Sequence, residues 1–179
     1  MTREEAVERL CTIYQSQFDI NRCSAEQTPL AVTMDFYALS DKYVLSKKAK
    51  LWEAKSFEYV YVFSVPHLTR EIYESCEKMA YEHGMARIQP GPTHMYSYIT
   101  TMFLCDSCDK AAKKALRKCR IYKSFKMAFW GWMDFHSGLA VLEEGKAFSN
   151  ASGKSAAQLL NKTLFCKAKK QLLGKEKTL

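Results

Sequence analysis

The stretch FEYVYVFSV, residues 57–65, constrains this chain more than any other. Strand side chains alternate between faces, so Phe57, Tyr59, Tyr61, Phe63 and Val65 share one side, and Val60 and Val62 share the other with Glu58 and Ser64. A strand apolar on both faces through its middle has to be covered on both sides, which places it near the centre of a sheet. With 179 residues, the chain is long enough to bury such a sheet within a single domain.

The remaining periods build outward from that strand. Thr2 and Glu5 have capping-box spacing, and Val7, Leu10, Cys11, Tyr14 and Phe18 follow at helical intervals, which predicts a helix over 3–20. Residues 21–29 read as a polar connector and 30–39 as a strand. Ser40-Asp41 reads as a turn, 43–55 as another strand, and Lys55-Ser56 as the turn into the central one. After Pro66 the period changes: Ile72, Tyr73, Cys76, Met79 and Ala80 lie on one helical arc that stops at Gly84, with a short strand over 85–88. Further strands are predicted at 95–105, 125–136, 139–142 and 147–149, with a break at Gly138. Helices are predicted at 109–122 and 152–171.

Two strand–helix units therefore begin about residues 57 and 95. The expectation is an α+β fold: a mixed, mostly antiparallel sheet with helices packed on it, residues 57–137 forming a ferredoxin-like core with N- and C-terminal additions. Residues 1–171 form one domain, and 172–179 a basic flexible tail.

Composition narrows the setting. Hydrophobic residues make up 47% and charged residues 26%, as in globular domains, so disorder is not expected. The net charge of +8 permits an anionic partner without choosing one. Seven cysteines form an odd set without framework spacing, and the charged start MTREEAVERL lacks the apolar run of a signal peptide, so a reduced, cytoplasmic setting is expected. No stretch reaches the roughly 20 apolar residues of a membrane span, so no membrane partner is expected.

Five constellations could carry chemistry. Cys105-Asp-Ser-Cys108 closes a strand and opens a helix, where amide dipoles favour a thiolate. Asp106 and Asp109 work against this, and a zinc site would have to recruit Cys119 and His94. Glu53 and Lys55 project from one strand face and resemble the second half of the PD-(D/E)xK nuclease signature, in which a carboxylate holds a divalent metal and lysine assists water; Asp35 or Asp41 would have to supply the other acid. In FWGWMDFH, strand alternation puts Trp130, Trp132, Asp134 and His136 on one face, either as an aromatic pocket with an acid–base pair or as core. Ser152-Gly-Lys-Ser155 has the closing half of a phosphate loop but Phe148 in place of the opening glycine, so it reads as a helix cap. The acid-free run from Lys110 to Lys126, centred on Lys113, Lys114 and Arg117, could bind phosphates, but few aromatics are interleaved for stacking.

The run KYVLSKKAKLWEAKSFEYVYVF, with GW at 131–132 and SNASGK at 149–154, resembles small uncharacterised cytosolic proteins of anaerobic bacteria. The resemblance implies no activity, cofactor or catalytic residue. Each catalytic signature lacks a residue its chemistry needs. The reading is therefore a non-catalytic binding or interaction module without a cofactor, whose partner is a small ligand, a protein or a second copy of the chain. A metal-dependent nuclease, a thiol redox protein and a basic nucleic-acid binder are the alternatives.

Overall fold

The computed structural model describes residues 1–24, 27–43 and 50–166. Along the chain run α1 (Arg3–Tyr14), β1 (Asp19–Arg22), β2 (Leu30–Tyr43), β3 (Lys50–Leu68), α2 (Arg70–Arg87) and β4 (His94–Cys108). They are followed by α3 (Lys110–Lys118), β5 (Tyr122–Ser124), β6 (Trp132–Val141), β7 (Lys146–Ser149) and α4 (Lys154–Leu160), which continues as a π turn over Asn161–Phe165. The expected tail at 172–179, the end of the last helix and part of the strand expected at 43–55 lie outside the described residues.

The seven described strands join one open sheet in the order β1-β2-β3-β4-β6-β5, with β7 also pairing β6. Four of the six pairings are antiparallel, while β3, β4 and β6 run parallel in the middle. The fold is thus α+β, with a mixed sheet and helices packed on it. β3 holds backbone partners on both sides, β2 and β4, and is covered on both faces.

Its two side-chain sets explain the two layers. Tyr59, Tyr61, Phe63 and Val65 enter a core closed by Tyr73, Cys76 and Ala80 of α2 and Ala112 and Leu116 of α3. Val60 and Val62 enter a second core, closed by Ala6, Val7, Leu10 and Tyr14 of α1 and Ala156 and Leu160 of α4. Phe63, Val60 and Val62 are fully buried, each stabilising the fold by about 1.5–3 kcal/mol. The crossovers β3-α2-β4 and β4-α3-β6 step the same way along the sheet. Sharing one hand, they bring α2 and α3 to the same face and into contact.

Several expected details differ. The ferredoxin-like connectivity is replaced: β4 lies between β3 and β6 and is parallel to both, whereas that fold would put the first strand of the unit between the other two. Residues 85–88 are not a strand, because α2 continues to Arg87 and Ile88 caps it. No turn occurs at Lys55-Ser56, since β3 is continuous from Lys50. The first helix ends at Tyr14, and part of the expected connector forms β1, which pairs with Val32 to Asp35 of β2.

The segment 125–136 departs furthest from expectation. Lys126, Met127 and Ala128 take φ of 46°, 54° and 68°, a left-handed turn that separates β5 from β6. Gly131 follows at φ 76°, where a Cβ would lie 2.4 Å from the Met95 carbonyl oxygen, so only glycine fits. β6 then runs without a break through Gly138 to Val141.

SNASGK is a structural joint. The buried Asn150 accepts hydrogen bonds through Oδ1 from the Ser137 and Gly153 amides (3.0 and 2.7 Å) and donates through Nδ2 to the Phe135 and Cys119 carbonyls (2.9 and 3.4 Å). These bonds tie β6 to the start of α4. A Cβ on Gly153 would sit 2.6 Å from Asn150 Oδ1, which is why glycine stands there.

Candidate functional site

The helices α1 and α4 do not meet over the whole sheet, and a cavity of about 340 Å³ remains between them, large enough for a small ligand. Ile13, Tyr14 and Phe18 wall one side, Ala156 and Leu159 the other, and Glu58, Thr100, Met102 and His136 form the sheet floor. The floor follows from register. Thr100 of β4 sits opposite His136 of β6, and Glu58 of β3 opposite Tyr98, which in turn faces Asp134.

Thr100, 1% exposed, donates from Oγ1 to Glu58 Oε1 at 2.8 Å. His136 Nε2 lies 3.6 Å from Asp134 Oδ2, with the Tyr98 ring 4.5 Å from the imidazole. Tyr98 stacks on Tyr96 (4.6 Å), and Tyr96 contacts Trp132 (5.9 Å), so half-buried rings continue along the sheet beside the cleft. Burial, with the Glu58 carboxylate second, pushes the Tyr14 hydroxyl up and keeps it a neutral donor. Tyr98 is raised by burial, then by Tyr96, Asp134 and Glu58. Among the described residues no lysine or arginine lines the cleft. Its lining holds one carboxylate, Glu58, and one imidazole, His136, with Asp134 behind the imidazole, in a chain of charge +8.

Trp132, Asp134 and His136 do share a face, the one bearing the cleft. Trp130 leaves that group, because it belongs to the left-handed turn, where Lys126 Nζ lies 4.5 Å from its ring centroid. Glu58, Thr100, Tyr14 and Phe18 were missing from the expected pocket. Glu58 alone left a trace in the sequence, a carboxylate interrupting the apolar second face of the central strand.

The residues of the nuclease signature converge only in part. Lys55 Nζ pairs with Glu53 Oε1 at 3.1 Å. Asp35 is gripped by Arg87 through two bonds of 2.8 and 2.7 Å and sits opposite Tyr59, six strand residues or about 20 Å from Glu53. Asp41 is the register partner of Glu53, but its side chain lies outside the described ones. Among the described residues no group of three or more His, Cys, Asp or Glu could hold a metal ion.

Cys105 and Cys108 both lie in β4, whose register with β3 is extended from Val65 to Leu68. Both border the core under α2 and α3, and their thiols lie close enough to hydrogen-bond. The thiols influence each other. Cys105 is pushed up by Cys108 and by burial, whereas Cys108 is lowered, chiefly by Cys105 and, more weakly, by Lys113. The other zinc ligands considered are engaged elsewhere: His94 bonds the Trp130 carbonyl and Ser97 Oγ, both at 2.8 Å, and Cys119 is buried.

The basic helix does not present its central cations together. Lys113 pairs with Glu144, and both Lys113 and Arg117 lie over the Phe148 ring at 4.8 and 5.2 Å. Lys114 turns instead into the groove between α2 and α3, beside Glu74 and Glu77. Asp109 precedes α3 without capping it, because its carboxylate bonds His67 Nε2 at 3.1 Å. No described helix is long and apolar enough to cross a membrane.

No curated protein and no solved structure matches the chain. A family model matches residues 2–162, a span that takes in every element from α1 to α4, and the chain belongs to that family, a domain of unknown function (DUF8052).

Proposed function

We propose that the chain is a non-catalytic binding module that takes a small organic cation in the cleft beneath α1 and α4. The observation that carries this reading is the Glu58 carboxylate on the floor of a cavity that, among the described residues, no lysine or arginine lines. Among the described residues Glu58 accepts one hydrogen bond, from the neutral hydroxyl of Thr100 to Oε1, so its carboxylate keeps acceptor capacity for an ammonium or amidinium group. Tyr14 and Phe18 supply rings to the wall, the environment in which a desolvated cation gains from aromatic quadrupoles. The nuclease alternative has less support, since among the described residues no group of three or more His, Cys, Asp or Glu could hold a metal ion, and the dithiol alternative has less because only Cys108 of the pair is lowered while Cys105 is pushed up.

Calorimetric titration of the whole chain with choline and with its neutral isostere 3,3-dimethylbutanol tests the reading. Choline should bind at least about tenfold more tightly than the isostere, and Glu58→Gln should reduce choline affinity about tenfold, as expected for losing one charge-assisted contact. Equal affinity for the two probes, or a Glu58→Gln variant that binds choline like the wild type, overturns it.

A further inference from the structure

The turn between β5 and β6 is built against the ordinary preferences of a chain in water. Three consecutive non-glycine residues, Lys126, Met127 and Ala128, hold left-handed φ, a conformation that each side chain resists. Such strain persists only where the surroundings over-determine it. Here the Trp130 amide donates to the Phe125 carbonyl (3.2 Å), the Phe125 amide to the Gly131 carbonyl (2.9 Å), and His94 holds the Trp130 carbonyl at 2.8 Å. The rigid result pushes apolar groups outward: Met127 is 87% exposed, Phe129 77% and Trp130 36%.

The collar of this tip carries lysines, with Glu53 of β3, paired to Lys55, on the Phe129 side. Lys126 lies over the Trp130 ring and Lys123 over Phe125 (5.9 Å). No acidic residue occurs between Asp109 and Asp134. An apolar tip with an indole at its shoulder and lysines around its base matches the layering of a lipid headgroup region, in which tryptophan favours the interface and lysine the anionic surface.

We propose that residues 123–130 form a docking tip for an anionic lipid surface, with Met127 and Phe129 entering the headgroup–acyl boundary and Lys123 and Lys126 meeting the lipid phosphates. A single-stranded nucleic acid fits less well: methionine offers no stacking face, and one face of Trp130 already carries Lys126. A second copy of the chain would bring two sets of lysines together.

The test is sedimentation of the full chain with phosphatidylcholine vesicles, with and without phosphatidylglycerol, while tryptophan emission is recorded. The chain should sediment only with the anionic vesicles, with a blue shift that Trp130→Phe removes. Met127→Ser/Phe129→Ser and Lys123→Gln/Lys126→Gln should each weaken binding at least about tenfold, the variants keeping wild-type circular dichroism. Several results overturn the proposal: no sedimentation with anionic vesicles, equal binding to neutral vesicles, or a serine variant that binds like the wild type, which would mean that charge elsewhere on the surface does the work. Concentration-dependent dimers that the serine variant abolishes, or oligonucleotide binding that it abolishes while vesicle binding persists, would assign the tip to those partners instead.

Discussion

Cys108 shows how little of a residue's chemistry lies in its local motif. Two aspartates flank the pair and should disfavour a thiolate, yet Cys108 is lowered, because the hydrogen bond with Cys105, helped by Lys113, outweighs burial, Asp109 and Glu144. The remaining buried thiols move the other way: burial raises Cys76 to about 11 and Cys119 to about 12, and Cys11 is also raised. Brief alkylation with iodoacetamide near neutral pH, followed by peptide mass spectrometry, should therefore label Cys108 well before Cys11, Cys76, Cys105 and Cys119. Labelling of Cys105 first would contradict the assignment of the lower thiol. Glu58 is the complementary case, since the sequence marks it as anomalous within an apolar strand, but only its neighbours on β4 and β6 make it part of a site.

At the scale of elements, legibility followed locality. β3 could be read because both of its alternating sets are apolar within a few residues. β1 could not, because DINR has no period of its own and exists through its pairing with β2. The misreading of 125–136 has the same origin. Phe125 to His136 alternates plausibly, but alternation does not register three left-handed residues, so Trp130 and Trp132 were joined on a face that they do not share. SNASGK was recognisable as the start of a helix, but α4 begins at Lys154 with Gly153 at its cap and no side-chain capping bond, and the four bonds of Asn150 depend on β6 and on Cys119. Asn150→Ala would strand those buried backbone groups and let α4 separate from the sheet. We expect a loss of about 3 kcal/mol or more, read by urea denaturation; a loss below about 1 kcal/mol would mean that the joint is not needed to hold α4.

For the whole molecule, the parity of one strand was enough to call for two covered faces, but not to say which helices cover them or where the cover is incomplete. The cleft lies in that gap, and its walls come from α1 and α4. The same burial sets an alkaline limit on stability. Folded, Tyr61 keeps its proton to about 12 and Cys76 to about 11, because burial penalises their anions. Unfolded, these groups ionise near about 10 and about 8.5. The unfolded chain therefore releases its protons first, so their contribution is complete below about pH 8.5 and is lost as pH rises through about 12. The urea midpoint should fall steadily across that window, and a flat profile would mean that these side chains are not sealed. The two layers also differ in when they can form. α2 and α3 lie between the strands they cover, whereas Leu10 and Leu160 must come together from opposite ends of the chain. Loop closure makes the second arrangement slow, so the α1–α4 layer should assemble last and open first, and the chain spends its early life with the Glu58 floor bare.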